Sequence, residues 1–249
     1  MRWLLSARKP PAVSVSVDAD PARVRIADRV EAAVRAGRVE VGGRANLTRE
    51  ANGDIDLSMA GPPALGAEVM LADARSAAEM THNWNGSQPM LDLSDVLPEA
   101  AEKNGGGEVV RPAAWHPALD RFGADQLNQR FTRRFGRAMD DAAWAGWFAV
   151  KAVADGAMRS NAADAAALAA YLASGRAEVD GQKGWPLSFR PWDHQLRQPL
   201  YLVATGGSGA GTRVVGEVPG GERGQDDSAA ALDVLGAGAA DGGCRMGQP

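Results

Sequence analysis

The sequence holds a single cysteine, Cys244, and three histidines, His82, His116 and His194. One cysteine excludes an intrachain disulfide. The histidines lie far apart and lack ligand spacing, which excludes a clustered Cys/His metal site. No EF-hand spacing is present either, although a carboxylate site for a hard cation stays open. Long apolar runs are absent: nothing approaches the roughly 20 residues that span a bilayer, so no membrane insertion is expected. The opening run is only Trp3 to Leu5, far short of the about 7–15 apolar residues of a secretory signal, so no signal peptide is expected. Basic excess is lacking too. With Lys+Arg 27 against Asp+Glu 31 and a net charge of −4, the chain does not look like a nucleic-acid binder. Arg130, Arg133, Arg134 and Arg137 read as the solvated face of a helix.

What is present suits an ordinary globular protein: 45% apolar and 23% charged residues over 249 positions, enough for one large domain or two small ones. Trp3–Leu5 and the alternating Ala12–Val17 are strand candidates. Asp20-Pro21 opens a helix, with a side-chain acceptor at the cap and no amide hydrogen at the next position. Ile26, Val30, Ala33 and Val34 follow at helical spacing, and Gly37 is placed for a left-handed cap. Val39–Val41 reads as another strand, while 42–65 is polar and rich in turn formers, notably Asn52-Gly53 and Pro62-Pro63. Ala67–Ala72 suits a buried parallel strand. A helix over Ala74–Met80 and a strand near Glu108–Val110 complete an α/β alternation.

From Asp120 the pattern turns helical. Leu127, Phe131 and Phe135 recur every four residues up to Gly136. Asp140 opens a second helix through Met158 that buries Trp144, Trp147, Phe148 and Ala154. Asn161, with Asp164 three residues on, resembles a capping box for a third helix, edged by Leu168, Tyr171 and Leu172 and closed by Gly175. Residues 185–204 are aromatic, apolar and without helical period, as in extended strands. From Gly206 the chain is rich in Gly, Ala and Asp and is expected to be poorly ordered.

Few motifs carry chemistry. Gly206–Gly211 lacks the Lys-Ser/Thr of a phosphate loop and reads as a linker. No G-x-S-x-G nucleophile turn is present. Asp193-His194 is an acid–base pair on paper, but sequence neighbours on an extended chain face opposite sides. Asp73, followed by Arg75, lies at the carboxyl end of a predicted parallel strand, where α/β sheets bind ligands. There it meets a solute ammonium or hydroxyl, or else caps the following helix. Trp115 and His116 lie past the next strand, Trp115 to stack on a ligand or cover the core, His116 to bind it or hydrogen-bond to backbone. No catalytic, metal or cofactor residue is assigned.

The stretch Leu187-Ser188-Phe189-Arg190-Pro191-Trp192-Asp193-His194-Gln195-Leu196-Arg197-Gln198-Pro199-Leu200 resembles the FRPW segment of solute-binding proteins associated with PQQ-dependent alcohol dehydrogenases. These are relatives of the leucine/isoleucine/valine-binding, type I periplasmic binding proteins of ABC transporters. Arg2–Leu5, Ala67–Asp73, Ala114-Trp115-His116, Gln126–Phe131, Ala142–Ala145, Leu232–Gly236 and Cys244-Arg245 support it in order. The resemblance implies a hinged α/β protein whose two lobes close on a small solute and deliver it to a membrane permease, and a periplasmic location. It also implies that the family's signal peptide and most of its first lobe precede the part represented here, along with a partner for Cys244. The expected organisation is a Rossmann-like parallel-sheet lobe over 1–136, hinge helices and strands of an incomplete first lobe over 137–205, and a flexible tail over 206–249. Without the rest of that lobe, Trp144, Trp147 and Phe148 are expected to lack a sheet to cover. The expected function is the substrate-binding component of an ABC transporter, with Asp73, Arg75, Trp115 and His116 contributing to the solute site. Two alternatives are an interaction protein docking through its exposed hinge helices, and a small enzyme using Asp73 or Asp193-His194.

Overall fold

The computed structural model describes residues 1, 4–51, 55–60, 66–82, 89–94, 107–206, 211–219, 229–233 and 235. The chain forms two compact units, Met1–Pro112 with Leu202–Gly216, and Ala113–Tyr201 with Glu217–Pro249. It therefore passes from one unit to the other three times. The first boundary falls at Pro112/Ala113 rather than at 136, because the helix after it packs into the second unit's core.

The first unit is built on an eight-stranded sheet. Its strands are β1 (Ala12–Asp18), β2 (Glu40–Arg49), β3 (Ile55–Ala60), β4 (Ala67–Leu71), β5 (Met90–Asp92), β6 (Val109–Ala113), β10 (Leu200–Thr205) and β11 (Thr212–Val218), in the order β11-β10-β6-β5-β4-β1-β2-β3. Pairing is parallel for β2-β1-β4-β5-β6 and antiparallel for β2-β3. Val13, Val15 and Val17 of β1 are fully buried, and so are Val69 and Met70 of β4. A central strand covered on both faces needs this apolar content. Helix α1 (Pro21–Ala36) starts where expected, with the Asp20 carboxylate accepting from the amides of Ala22 and Arg23. Its buried edge is Ala27, Val30 and Val34; Ile26 is exposed. Helix α2 is Ala74–His82.

Several local expectations change. Leu4–Arg8 is a π-helical turn, since three apolar residues before a basic, proline-ended stretch are too short to pair as a strand. Gly37 has φ −76°, and the left-handed residue is Arg38 at φ 57°. Residues 42–49, read as turn-rich, extend β2, with Ala45 and Leu47 buried and Asn46 and Thr48 exposed. The Asn52-Gly53 and Pro62-Pro63 breaks lie outside the described residues.

The second unit contains α3 (Ala124–Phe135), α4 (Asp141–Ser160), α5 (Ala165–Ala173), α6 (Ala229–Asp233) and a small sheet of β7 (Val179–Asp180), β8 (Pro186–Phe189) and β9 (Leu196–Arg197). Gly136 ends α3 in the left-handed conformation. Asp140 caps α4 through the Ala143 amide, and Asp164, not Asn161, caps α5; Asn161 instead ends α4 at φ 49°. The face of α4 that turns inward is Trp144, Phe148, Ala152 and Gly156, every fourth residue; Trp147 is half-buried and Ala154 exposed. Trp144 and Phe148 do find a core, made with Trp115, Leu127, Met139, Val179 and Leu187. The expected flexible tail also changes, since β11 is a strand and Leu232 of α6 is buried.

Candidate functional site

Parallel strands bring their carboxyl ends to one edge of the first unit's sheet, where open α/β sheets place their ligands. Three acidic residues meet there. Asp18 ends β1, Asp92 ends β5, and Asp73 follows β4, which lies between those two strands. The Asp18 carboxylate accepts from the Asp73 amide (2.9 Å), tying the two strand ends together, and pairs with the Arg23 guanidinium at 2.8 Å. Asp73 is engaged as the cap of α2. One oxygen accepts from the amides of Arg75 and Ser76, the other from the Ser76 hydroxyl at 2.6 Å. Those bonds, led by the Ser76 hydroxyl, hold its carboxyl below the ordinary carboxylate range. Arg75 is exposed on the first turn of α2.

Asp92 is the deepest of the three, 1% exposed. One oxygen accepts from the Ser94 amide, and the other takes the Nε of Arg111 at 2.6 Å. The pairs Ser16–Met70 and Met70–Asp92 continue across the sheet, and Arg111 lies one residue past the Leu91–Val110 pair. The same row of one sheet face therefore carries Ser16, Met70, Asp92 and Arg111. Arg111 is itself 7% exposed, and among the described residues its Nη2 has no hydrogen-bond acceptor. Neither Asp92 nor Arg111 stood out in the sequence, because β5 is only three residues long and Asp92 reads as a loop residue. An Asp and an Arg 19 positions apart become neighbours only through the crossover between parallel strands. On the same face, Glu68 of β4 is partly buried beside Ser16, whose hydroxyl donates to it at 2.5 Å; desolvation pushes its pKa up to about 7, against the pull of that hydrogen bond.

Trp115 and His116 belong to the second unit. The Trp115 ring is 2% exposed, stacks on Trp144 with centroids 5.9 Å apart, and donates its Nε1–H to Asn128 Oδ1. It is used as core, and its indole presents no face to a solute. His116 accepts from the Ala118 amide through Nδ1, and burial favours its neutral form, against the attraction of the Asp141 carboxylate.

Asp193 and His194 do not form an acid–base pair. Asp193 accepts from the Gln195 amide and pairs with Arg190, while His194 sits at φ 56° in the turn between β8 and β9. That turn is the centre of the FRPW segment. Arg190 and Arg197, both largely buried, flank the Trp192 ring at 5.5 and 5.3 Å and reach Asp233 of α6, Arg197 at 2.7 Å and Arg190 at 3.5 Å. The segment is thus a hairpin that fastens α6.

A further buried cation is Lys183, fully enclosed in the second unit. Its ammonium lies 3.8 Å from the Trp144 ring and 5.5 Å from the Tyr201 ring, and donates to Gln198 Oε1 (2.6 Å) and the Pro199 carbonyl (3.2 Å). Burial brings its pKa down to about 7, against the attraction of Asp141 and Glu217. An open groove of about 470 Å³ on the same unit is lined by Arg159, Ser160, Tyr171, Arg176 and alanines; Arg159 donates to the Glu178 carbonyl there. Among the described residues no group of three or more acidic, histidine or cysteine side chains is placed to hold a metal ion, and no helix is long and apolar enough to cross a membrane.

Comparison with known proteins agrees with this sheet. A leucine-binding protein from Thermotoga maritima superposes with a TM-score of 0.62 at 12% identity, over 86% of this chain and 62% of its own. An isoleucine-bound branched-chain amino acid transporter binding protein from Streptococcus pneumoniae gives 0.58 at 13% identity, over 86% and 62%. A solute-binding protein from Rhodopseudomonas palustris in complex with benzoate gives 0.55 at 15%, over 86% and 60%. The chain thus spans about 60% of the length of these structures. A search of curated proteins finds no match. The family model described as periplasmic binding protein matches residues 65–210, which run from β4 through both units. A mostly parallel sheet with its carboxyl edge lined by charged groups, and a family match across more than half the sequence, together mean that this chain belongs to the periplasmic binding protein family.

Proposed function

We propose that the chain is a solute-binding component of an ABC transporter, a binder and not an enzyme, that takes a small solute at the carboxyl edge of the first unit's sheet. The observation that carries this reading is the gathering of Asp18, Asp73, Asp92, Arg23 and Arg111 at that edge, in a fold shared with proteins that hold leucine, isoleucine or benzoate. Arg75 stands beside them, exposed at the start of α2. Of the four expected site residues, Asp73 and Arg75 lie at this edge, while Trp115 and His116 lie in the second unit, where Trp115 packs in the core and His116 bonds to backbone. The family supports a periplasmic location and hand-over to a permease. The link to PQQ-dependent alcohol oxidation rests on the FRPW segment alone. A thermal-shift screen of the purified chain against amino acids, carboxylates, small alcohols and PQQ tests the reading. A specific ligand at 100 times its Kd stabilises by about 2.7 kcal/mol, and a cooperative melt that no compound moves would refute solute binding.

A second reading, docking on another chain, is supported by one observation. The outward face of α4 is apolar from Ala142 to Met158 and leaves Val150, Val153 and Met158 more than half exposed. If no compound binds, and sedimentation shows the wild type associating while Val153→Asp stays monomeric, docking replaces transport.

A further inference from the structure

Resting on the reading as a solute binder, we infer that the solute is an anion and that its carboxylate is held by the Arg111 guanidinium. The hydrogen-bonding balance of the edge points there. Every carboxylate oxygen of Asp18, Asp73 and Asp92 already accepts a protein donor. The negative charges are also met: Asp18 by Arg23, Asp92 by Arg111, and Asp73 by the amides opening α2 and the nearby charge of Arg49. An incoming ammonium or hydroxyl would therefore meet carboxylates whose charge is already balanced and whose oxygens are already engaged in holding strand ends and a helix cap. The unmet group is a donor instead. Arg111 uses Nε on Asp92 and leaves Nη2 buried without an acceptor among the described residues.

A buried donor left unmet is costly, and a guanidinium fork is built for planar, two-point recognition of a carboxylate. Asp92 fixes one side of that fork. Its own position is fixed by the Ser94 amide, and the Ser94 hydroxyl in turn accepts from the Ala72 amide at the end of β4. The guanidinium is thus held in one orientation before a ligand arrives, which lowers the ordering cost of binding. The expectation that Asp73 meets a solute ammonium is replaced by the opposite polarity at a neighbouring strand end.

The test is isothermal titration of the full chain with acetate, pyruvate and benzoate, set against the matching uncharged amides. At least one carboxylate is expected to bind, at least tenfold more tightly than its amide. Arg111→Lys, which keeps the charge beside Asp92 and loses the fork, is expected to weaken that binding at least tenfold. Asp92→Asn, which leaves the guanidinium charge uncompensated, is expected to tighten it. Equal affinity for carboxylate and amide overturns the inference, and so does wild-type affinity in Arg111→Lys. If Arg111→Lys does not fold, Asp92→Asn decides, and weaker carboxylate binding there overturns it. Binding of only uncharged solutes removes the anion and leaves the solute-binding reading intact; a flat response to every solute in both assays removes both.

Discussion

Replacing Lys183 by methionine tests the electrostatics of the second unit most directly. The lysine is fully enclosed, and burial brings its pKa from 10.5 down to about 7. In the unfolded chain the same amine holds its proton until about pH 10. Between those two values the unfolded state binds the extra proton, so stability rises with pH across the window from about 7 to 10.5. Below pH 7 both states are protonated and the full cost of burying the ammonium remains. At about 1.36 kcal/mol per pKa unit that cost is on the order of 5 kcal/mol, comparable with the whole stability of a small domain. The Trp144 and Tyr201 rings, Gln198 and the Pro199 carbonyl already oppose it. They are the reason that the buried ammonium is tolerated at all. Methionine keeps the length and the contact with Trp144 while removing the charge, so Lys183→Met is expected to be more stable than wild type at pH 6 and to lose the rise between pH 7 and 10. Urea unfolding followed by tryptophan fluorescence reads this unit well, since Trp115, Trp144, Trp147, Trp185 and Trp192 all lie in it. A wild type whose stability is level or falling from pH 7 to 9, or a variant that keeps the wild-type slope, would refute the reasoning.

Glu68 works in the opposite direction. Its folded pKa is raised to about 7, so the folded state holds the proton longer, and stability falls as pH rises from about 4.5 to 7, by on the order of 3 kcal/mol. Glu68→Gln is expected to remove that fall while keeping an acceptor for Ser16, and urea melts at pH 5 and 7.5 check it; an unchanged difference between the two pH values sinks the idea. Gly181→Ala tests packing: a Cβ there would meet Leu187 Cδ1 at 2.3 Å and Trp144 Cζ2 at 3.2 Å. A loss of about 1–3 kcal/mol is expected from such overpacking, and a melt within a degree of wild type would show that the core yields more than supposed.

Much of the fold was legible because its signals are local. Asp20-Pro21 and Asp140 name their helices by side-chain capping, and Gly136 ends α3 as a left-handed residue, whereas the cap of α5 is Asp164 in place of the expected Asn161. Expectation failed where tertiary context decides. Residues 42–49 carry two glycines and polar side chains, yet they alternate buried and exposed once β1 and β3 lie on either side. Trp115 read as a candidate ligand platform because one aromatic past a strand end suits stacking and core alike; only the position of Trp144 separates the two uses. Arg111 was hidden for a similar reason. An arginine in a strand signals nothing until the neighbouring strand supplies Asp92 for its Nε and leaves its Nη2 without an acceptor among the described residues.

The hairpin between β8 and β9 changes what the most recognisable stretch of this sequence is good for. Arg190, Trp192 and Arg197 spend their charge and surface on one another and on Asp233. Two chains that share this stretch therefore share a fastening, in the sense that a common buckle says nothing about what a bag contains. On the solute-binding reading proposed above, cargo diverges through a few substitutions at the other unit's strand ends, while the fingerprint stays constant. Kinship read from the fingerprint and cargo read from the strand ends are separate inheritances, and each has to be traced through its own residues.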